Sequence, residues 1–256
     1  MKTVEGEQGL RPNAGGEVET ESRREGGNGH SIALMKDGGA LAPHQLEAKR
    51  LINGDAATRE LTNSFRELRT RLLELSDGQN FTTLIVPVSR GCGASFVARN
   101  LALAFAFDEA RTALLVDCDL QQPSQHLALG VDPSSGGLTD YLEHPAIGIK
   151  PILYHTGIPR LRLVPSGNVQ SEHMEYFSSF RMRAVLDSLR CRYPDRYLFL
   201  DGPPIKGAPD ARILSDLADY VVVVAGYGRD TPASINRAVA GFVPNKLAGI
   251  VFNQAP

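Results

Sequence analysis

The chain has 256 residues, of which 42% are hydrophobic, and its formal net charge is −2. This composition suffices for one large α/β domain or two small ones, and the charge balance argues against a nucleic-acid partner. Three cysteines without a C-x-x-C pair and apolar runs too short for a membrane span predict a cytoplasmic protein, one that reaches a membrane only through a partner.

The N-terminal part divides into two segments of different character. Residues 1–40 are rich in Gly, Glu and Arg and poor in aliphatic residues, so they predict a disordered tail. Residues 41–80 form a helical arm, because apolar residues recur at helical spacing in Leu61, Phe65, Leu68, Leu72 and Leu75. This apolar stripe must be buried either against the rest of the chain or against a neighbouring molecule.

Residues 81–256 alternate aliphatic runs with helical patterns, which is typical of one α/β domain. Strands are predicted at 81–88, 111–117, 196–201, 219–226 and 247–253, with another beginning at 161. Helices are predicted over 94–107, in the segment GLTDYLE, around Met182 to Leu189, and after the capping pair Thr231-Pro232. Continuous aliphatic strands imply a sheet covered on both faces. The predicted fold is therefore a doubly wound, mostly parallel sheet.

The segment VSRGCGAS, residues 88–95, approximates a phosphate-binding loop of the pattern G-x-x-x-x-G-K-[ST]. In such a loop glycines expose backbone N–H groups to phosphates, a lysine contacts the outer phosphates and a hydroxyl binds Mg²⁺. Gly91, Gly93 and Ser95 match the pattern, whereas Val88 and Ala94 replace its first glycine and its lysine. An ordinary strand-to-helix turn is an equal alternative for this segment alone.

Acidic residues follow two of the predicted strands. Asp117 and Asp119 end one strand, and Asp201 ends another, so a parallel sheet would bring them to one crevice beside the loop. There they would hold Mg²⁺ or orient an attacking group, although each acid alone is also a common helix cap. Asn253 ends the last strand, where it would face a nucleobase. A dinucleotide-binding fold is disfavoured, because Phe96 occupies its third glycine position.

Residues 60–253 resemble the cytoplasmic kinase domain of bacterial tyrosine kinases of capsular and exopolysaccharide systems, which are relatives of the MinD/ParA-type P-loop ATPases. The motifs that carry the resemblance are FRELRTRL, LLVDCDLQQPS, GGLTDYLE, LRLVPSG, RYPDRYLFLDGPP and GIVFNQ, together with the degenerate loop. The RYPDR…DGPP segment and the arm are similar to the branch encoded with exosortase-linked exopolysaccharide clusters.

The resemblance implies roles for particular residues. It implies ATP and Mg²⁺ as cofactors, with catalytic roles for Asp117, Asp119 and Asp201. It implies a nucleotide site formed by Gly91, Gly93, Ala94, Ser95, Phe96 and Asn253, and Mg²⁺ ligands from Ser95, Asp117 and Asp201. Residues 61–75, with Arg66 and Arg69 of an E-x-x-R-x-x-R arm, would dock against a neighbouring copy in a homo-oligomer.

The sequence departs from the family at several of these positions. Ala94 stands where the kinases have the phosphate-binding lysine, Ser89 where the ATPase relatives often keep a second one, and Asn63 where the arm has its glutamate. The printed sequence ends in NQAP rather than in a tyrosine-rich tail, and we expect its seven dispersed tyrosines to be structural.

These departures favour a pseudokinase, a kinase-like accessory protein of exopolysaccharide biosynthesis or export with little or no catalysis. Its expected partner is a polysaccharide co-polymerase of the inner membrane or an active kinase paralogue. One alternative is an active ATP-dependent protein tyrosine kinase, in which Arg90 or Arg99 replaces the missing lysine. A further alternative is a MinD/ParA-type positioning ATPase, which would dimerise on binding ATP.

Overall fold

A computed structural model describes residues 40–53, 55–168, 176–207 and 209–254. The predicted tail, residues 1–40, lies outside the described residues except for residue 40. The described part contains one seven-stranded sheet of order β3-β4-β2-β5-β1-β6-β7. Its strands are β1 Thr82–Pro87, β2 Thr112–Asp117, β3 Tyr154–His155, β4 Leu161–Val164, β5 Arg196–Asp201, β6 Tyr220–Gly226 and β7 Leu247–Asn253.

The sheet is mostly parallel, as predicted. Every neighbouring pair is parallel except β3 and β4, which pair antiparallel at one edge. The sequence analysis missed β3 because a two-residue edge strand is too short to show a periodic pattern. The fold class predicted from the aliphatic strands is confirmed.

Helices cover both faces of the sheet. They are α1 Pro43–Ala48, α2 Arg59–Leu75, α3 Ala94–Ala106, α4 Gln125–Leu129, α5 Leu138–Glu143, α6 Phe180–Cys191, α7 Asp210–Leu217 and α8 Pro232–Val239. Side chains of β1 alternate between two hydrophobic clusters: Leu84 and Val86 join α6, α7 and α8, whereas Ile85 joins α2 and α3. Strands buried on both sides explain the continuous aliphatic runs.

The arm helix α2 packs against the chain's own helix α3. Phe65 and Leu72 are buried there, while Leu61 and Leu75 at the ends of the stripe are exposed. Arg69 Nη1 donates a hydrogen bond of 2.7 Å to the carbonyl oxygen of Ala104, near the C-terminal end of α3, where carbonyl groups lack helical partners. The middle of the apolar stripe is therefore buried within one molecule, and Arg69 contacts the same helix.

The strand order places β1 at the point where the chain changes direction across the sheet. From β1 the chain crosses to β2 on one side, and β6 later pairs with β1 on the other. In open α/β sheets, ligands bind beyond the carboxyl ends of the strands at such a point. Among the described helices, none combines the length and apolarity that a membrane crossing requires.

Candidate functional site

The loop between β1 and α3 has the backbone that a phosphate-binding loop needs at two positions. Gly91 has φ +79° and Gly93 has φ +86°, a region that L side chains rarely adopt. A Cβ on Gly91 would overlap the guanidinium of Arg229, and a Cβ on Gly93 would overlap the side-chain amide of Asn253. The positive φ angles therefore favour glycine at both positions, while the close neighbours are the ends of side chains rather than backbone.

Side chains from the ends of β6 and β7 hold this loop in place. Ser89 Oγ donates to Asp230 Oδ1 at 2.6 Å, and the backbone N–H of Gly226 donates to Asp230 Oδ2 at 2.8 Å. Asn253 Nδ2 donates to the carbonyl oxygen of Cys92 at 2.8 Å. Asp230 escaped the sequence analysis, because an acid after a glycine-rich turn carries no distinctive local signal.

Ala94 and Phe96, two of the predicted nucleotide contacts, lie in different surroundings from each other. Ala94 is the first residue of α3 and is only 4% exposed, with its methyl group at the wall of the loop cavity. Phe96 points towards the arm: its ring centroid lies 6.1 Å from that of Phe65 in an edge-on contact. Phe96 is absent from the lining of the loop cavity, and its contact with a nucleotide stays a prediction.

The loop cavity has a volume of about 370 Å³ and opens beside the carboxyl ends of β1, β2 and β5. Gly91, Gly93 and Ser95 line it, as does Asp119, whose carboxylate accepts backbone hydrogen bonds from Gln121 and Gln122 at 3.3 and 3.2 Å. The cation in its lining is Arg90, whose guanidinium is hydrogen-bonded to Gln121 Oε1.

Asp117 and Asp201 lie side by side at the ends of β2 and β5, where they are paired in register. Their relative exposures are 0% and 1%. Asp117 Oδ2 accepts the backbone N–H groups of Ser124 and Gln125, each at 3.0 Å. Asp201 Oδ2 accepts Gln125 Nε2 at 2.6 Å, whereas its Oδ1 is buried without a well-formed hydrogen bond among the described residues.

Burial controls the protonation of this pair. Loss of hydration raises the pKa of Asp201 to about 7, and the adjacent Asp117 carboxylate adds to the rise, which hydrogen bonds from Gln125 and Ser95 oppose. Burial likewise raises the pKa of Asp117 to about 6, against the effect of the backbone N–H groups that it accepts. Two neighbouring carboxyl groups therefore titrate close to neutral pH.

Gln125 is the residue of this site that the sequence analysis missed. Its Nε2 donates both to the carbonyl oxygen of Ser95 at 2.9 Å and to Asp201, so the amide joins two of the predicted metal ligands. It follows directly on the motif that contains Asp117 and Asp119, and it is the first residue of α4, a short helix that no periodic pattern in the sequence marks.

Among the described residues, no three His, Cys, Asp or Glu side chains are grouped as a metal site. Ser95, Asp117 and Asp201 nevertheless offer the hard oxygen atoms that Mg²⁺ prefers. The Oδ1 of Asp201, which lacks a well-formed hydrogen bond among the described residues, is an acceptor that a cation or a proton would satisfy. These residues fit Mg²⁺ in donor type, with the Gln125 amide between two of them.

No family model matches the chain. Over 194 residues it is 29% identical to tyrosine-protein kinase wzc of Salmonella typhimurium, an alignment that covers 75% of this chain and 26% of that protein. It is 28% identical over 192 residues to tyrosine-protein kinase CpsD of Streptococcus agalactiae, covering 74% of this chain and 82% of that one. The homologues of this chain are bacterial tyrosine kinases.

The fold of this kinase-like chain is found in solved structures. The chimerical protein CapA2B2 matches with a TM-score of 0.72 at 23% identity, over 86% of this chain and 93% of that one. The kinase domain of Escherichia coli tyrosine kinase ETK matches with a TM-score of 0.67 at 22% identity, over 85% of this chain and 97% of that one. A ParA family ATPase from Chlorobium tepidum matches with a TM-score of 0.50 at 19% identity, over 69% of this chain and 75% of that one.

The chain spans about a quarter of the length of wzc and about four fifths of CpsD. The loop of this chain contains Gly91, Gly93 and the hydroxyl of Ser95, whereas Val88 and Ala94 occupy the positions of the first glycine and of the lysine in the phosphate-binding pattern.

Proposed function

We propose that this chain is a kinase-like accessory protein of exopolysaccharide biosynthesis or export that has lost most or all phosphotransfer. The observation that carries the proposal is Ala94. A lysine at the first turn of α3 would place an ammonium among the outer phosphates. Removing one preorganised transition-state donor of this kind lowers a rate by roughly 10²–10³-fold.

The cations near the loop are already engaged. Arg90 lines the cavity but is hydrogen-bonded to Gln121. Arg99 lies beneath the loop, where its Nη1 donates to the carbonyl oxygen of Ser95 at 3.2 Å and its guanidinium lies 5.6 Å from the Phe96 ring centroid. A planar guanidinium does not reproduce a compact ammonium inside a tight loop. Neither arginine is therefore a good substitute for the lysine.

The carboxylate pair supports the same proposal. Asp117 and Asp201 must be ionised to bind Mg²⁺, and burial raises both pKa values towards neutrality. The side-chain amide of Gln125 donates a hydrogen bond to Asp201. The carboxyl group of Asp201 therefore has a partner even when no metal is bound. When Mg²⁺-ATP is bound, Ser95, Asp117 and Asp201 would hold the metal, which neutralises phosphate charge. The loop N–H groups would hold the phosphates.

The proposed role is exerted through binding to a protein partner. The partner would be a polysaccharide co-polymerase of the inner membrane or an active kinase paralogue, which would recruit this chain from the cytoplasm. Residues 61–75 remain a candidate homo-oligomer surface through Arg66, Arg71 and Glu74, which are exposed. The apolar residues Phe65 and Leu72 are already buried within the chain, so such an interface would be polar.

Phosphotransfer from [γ-³²P]ATP tests the proposal. We expect no transfer to tyrosine by the wild-type chain above the level of Asp117→Ala, with added Mg²⁺ and with an exogenous tyrosine peptide. Asp132→Ala, at an exposed acid, is the matched control. Transfer by the wild type and by Asp132→Ala, but not by Asp117→Ala, would establish the alternative, an active tyrosine kinase.

A further inference from the structure

A second cavity lies on the other side of the phosphate loop. It has a volume of about 470 Å³ and is bounded by the segment after β5, the start of α7 and the start of α8. Its lining includes four cationic side chains: Lys206, Arg212, Arg229 and Arg237. We propose that this basic pocket binds a phosphate ester, that is, a phosphate group carried on a small organic body.

The positive charge of the basic pocket is only partly offset within the described structure, because four cationic side chains line it together with one carboxylate, that of Asp230. Lys206, Arg212 and Arg237 are exposed, and no ion pair joins them to an acid among the residues the structure describes. Asp230 is the acid in the lining, and both of its oxygens already accept hydrogen bonds from Ser89 and Gly226. The pocket therefore offers an excess of positive charge to a ligand.

The size and the chemistry of the lining define the ligand class. Small-molecule pockets have volumes of about 300–1,000 Å³, so 470 Å³ leaves room for more than one phosphate ion. Val88, Ile205 and Ala238 provide apolar wall for an organic group. The planar guanidinium of arginine can donate two parallel hydrogen bonds to two oxygens of one phosphate. A phosphate monoester also carries nearly two negative charges, whereas a carboxylate carries one.

The basic pocket is separate from the loop cavity. The two have no lining residue in common, although Val88 and Ser89 of the loop form part of the basic pocket. Arg229 belongs to the basic pocket, and its Nη1 donates to the carbonyl oxygen of Arg90 at 3.0 Å. A ligand in the basic pocket therefore contacts the phosphate loop from outside, without occupying the place of ATP.

Calorimetric titration of the full chain tests the proposal. The probes are glucose 1-phosphate as a free metabolite, O-phosphotyrosine as a protein-borne phosphate, and inorganic phosphate as the size control. The variant is Arg212→Gln/Arg237→Gln. Its matched control is Arg59→Gln/Arg183→Gln, which removes the same charge from exposed positions outside the pocket.

We expect at least one ester to bind more tightly than inorganic phosphate, and the pocket variant to weaken that binding roughly tenfold. The control variant should change it less than twofold. The ester that binds more tightly identifies the source of the phosphate. Should the pocket variant lose thermal stability, Lys206→Gln replaces it, with a smaller expected loss of affinity.

Three results would each overturn the proposal. The first is no measurable binding of either ester. The second is equal weakening by the pocket and control variants, which would indicate diffuse attraction by net charge. The third is ester binding that tightens in Ala94→Lys and is insensitive to the pocket variant, which would place the ester in the loop cavity instead.

Discussion

The two sides of the phosphate loop differ in electrostatic character. On one side Asp117 and Asp201 are buried next to each other at the ends of β2 and β5, outside the lining of the loop cavity, which contains Arg90 and Asp119. On the other side Lys206, Arg212 and Arg237 are gathered without an acidic partner among the described residues. Although Ala94 stands at the lysine position of the phosphate-binding pattern, this region is not short of cations. They lie outside the loop.

The largest expected effect comes from removing buried charge on the acidic side. Asp201→Asn should stabilise the fold at pH 8 by on the order of 3 kcal/mol, because its carboxyl has a pKa of about 7 in the folded protein. The folded-state pKa lies above the unfolded-state value of about 4, so the native state binds the extra proton between about pH 4 and 7. Wild-type stability should therefore fall as pH rises through that window.

Urea unfolding between pH 4 and 8 measures this effect. Asp201→Asn should flatten the decline of stability with pH, whereas Asp132→Asn at an exposed acid should leave it unchanged. Equal slopes in the wild type and in Asp201→Asn would contradict the assignment of the decline to Asp201.

Restoring the missing cation tests the loop cavity next. Ala94→Lys should tighten Mg²⁺-ATP binding by roughly 10- to 150-fold, since a charge-assisted contact contributes about 1.5–3 kcal/mol. Asp117→Ala in the same background should abolish much of the gain. Ala110→Lys adds the same charge at an exposed site and is the control. No gain from lysine in a folded protein would mean that the loop no longer holds phosphate.

Asp230 joins the two sides, because it lines the basic pocket and fixes the loop. Asp230→Ala leaves Ser89 Oγ and the N–H of Gly226 without their acceptor, and should lower the free energy of unfolding by about 2 kcal/mol. Asp216→Ala, at an exposed acid, is the control. A loss below about 0.5 kcal/mol would show that the loop does not depend on this brace.

The smallest expected effect is on the basic side. Lys206→Gln should change stability by less than about 0.5 kcal/mol, because the side chain is exposed and forms no ion pair with a described residue. A slight gain in stability would mean that the substitution relieves electrostatic repulsion between Lys206 and the neighbouring cations. A clear loss in thermal unfolding would mean that Lys206 serves the fold rather than a ligand.

Much of the fold follows from local patterns in the sequence. The strands at 196–201 and 247–253 were predicted at the bounds that the structure shows, and the predicted cap at Thr231 accepts the N–H of Ser234 at 3.2 Å. These strands and this helix cap can be predicted from the sequence, because each depends on residues within one turn or one strand. Residues 154–155 and the helix of residues 125–129 lack that periodicity and were not predicted.

The candidate site was predictable only in part, for a related reason. The positions of Asp117 and Asp201 followed from two strands ending at one edge of a parallel sheet. The role of Gln125 depends on how α4 lies across that edge, and the direction of Phe96 depends on the docking of α2. Neither can be read from spacing, because each needs the relative position of two elements.

The sheet, the glycines of the loop and the alanine at the lysine position of the phosphate-binding pattern all follow from the sequence, because each depends on residues that are consecutive in the chain. Only the packing of the arm shows that Phe65 and Leu72 of its apolar stripe are buried against α3 and that Arg69 bonds the carbonyl of Ala104. Tertiary structure also decided that Lys206, Arg212, Arg229 and Arg237 line one pocket. These cations are spread along the chain, and only the packing of α7 and α8 beside β1 makes them neighbours.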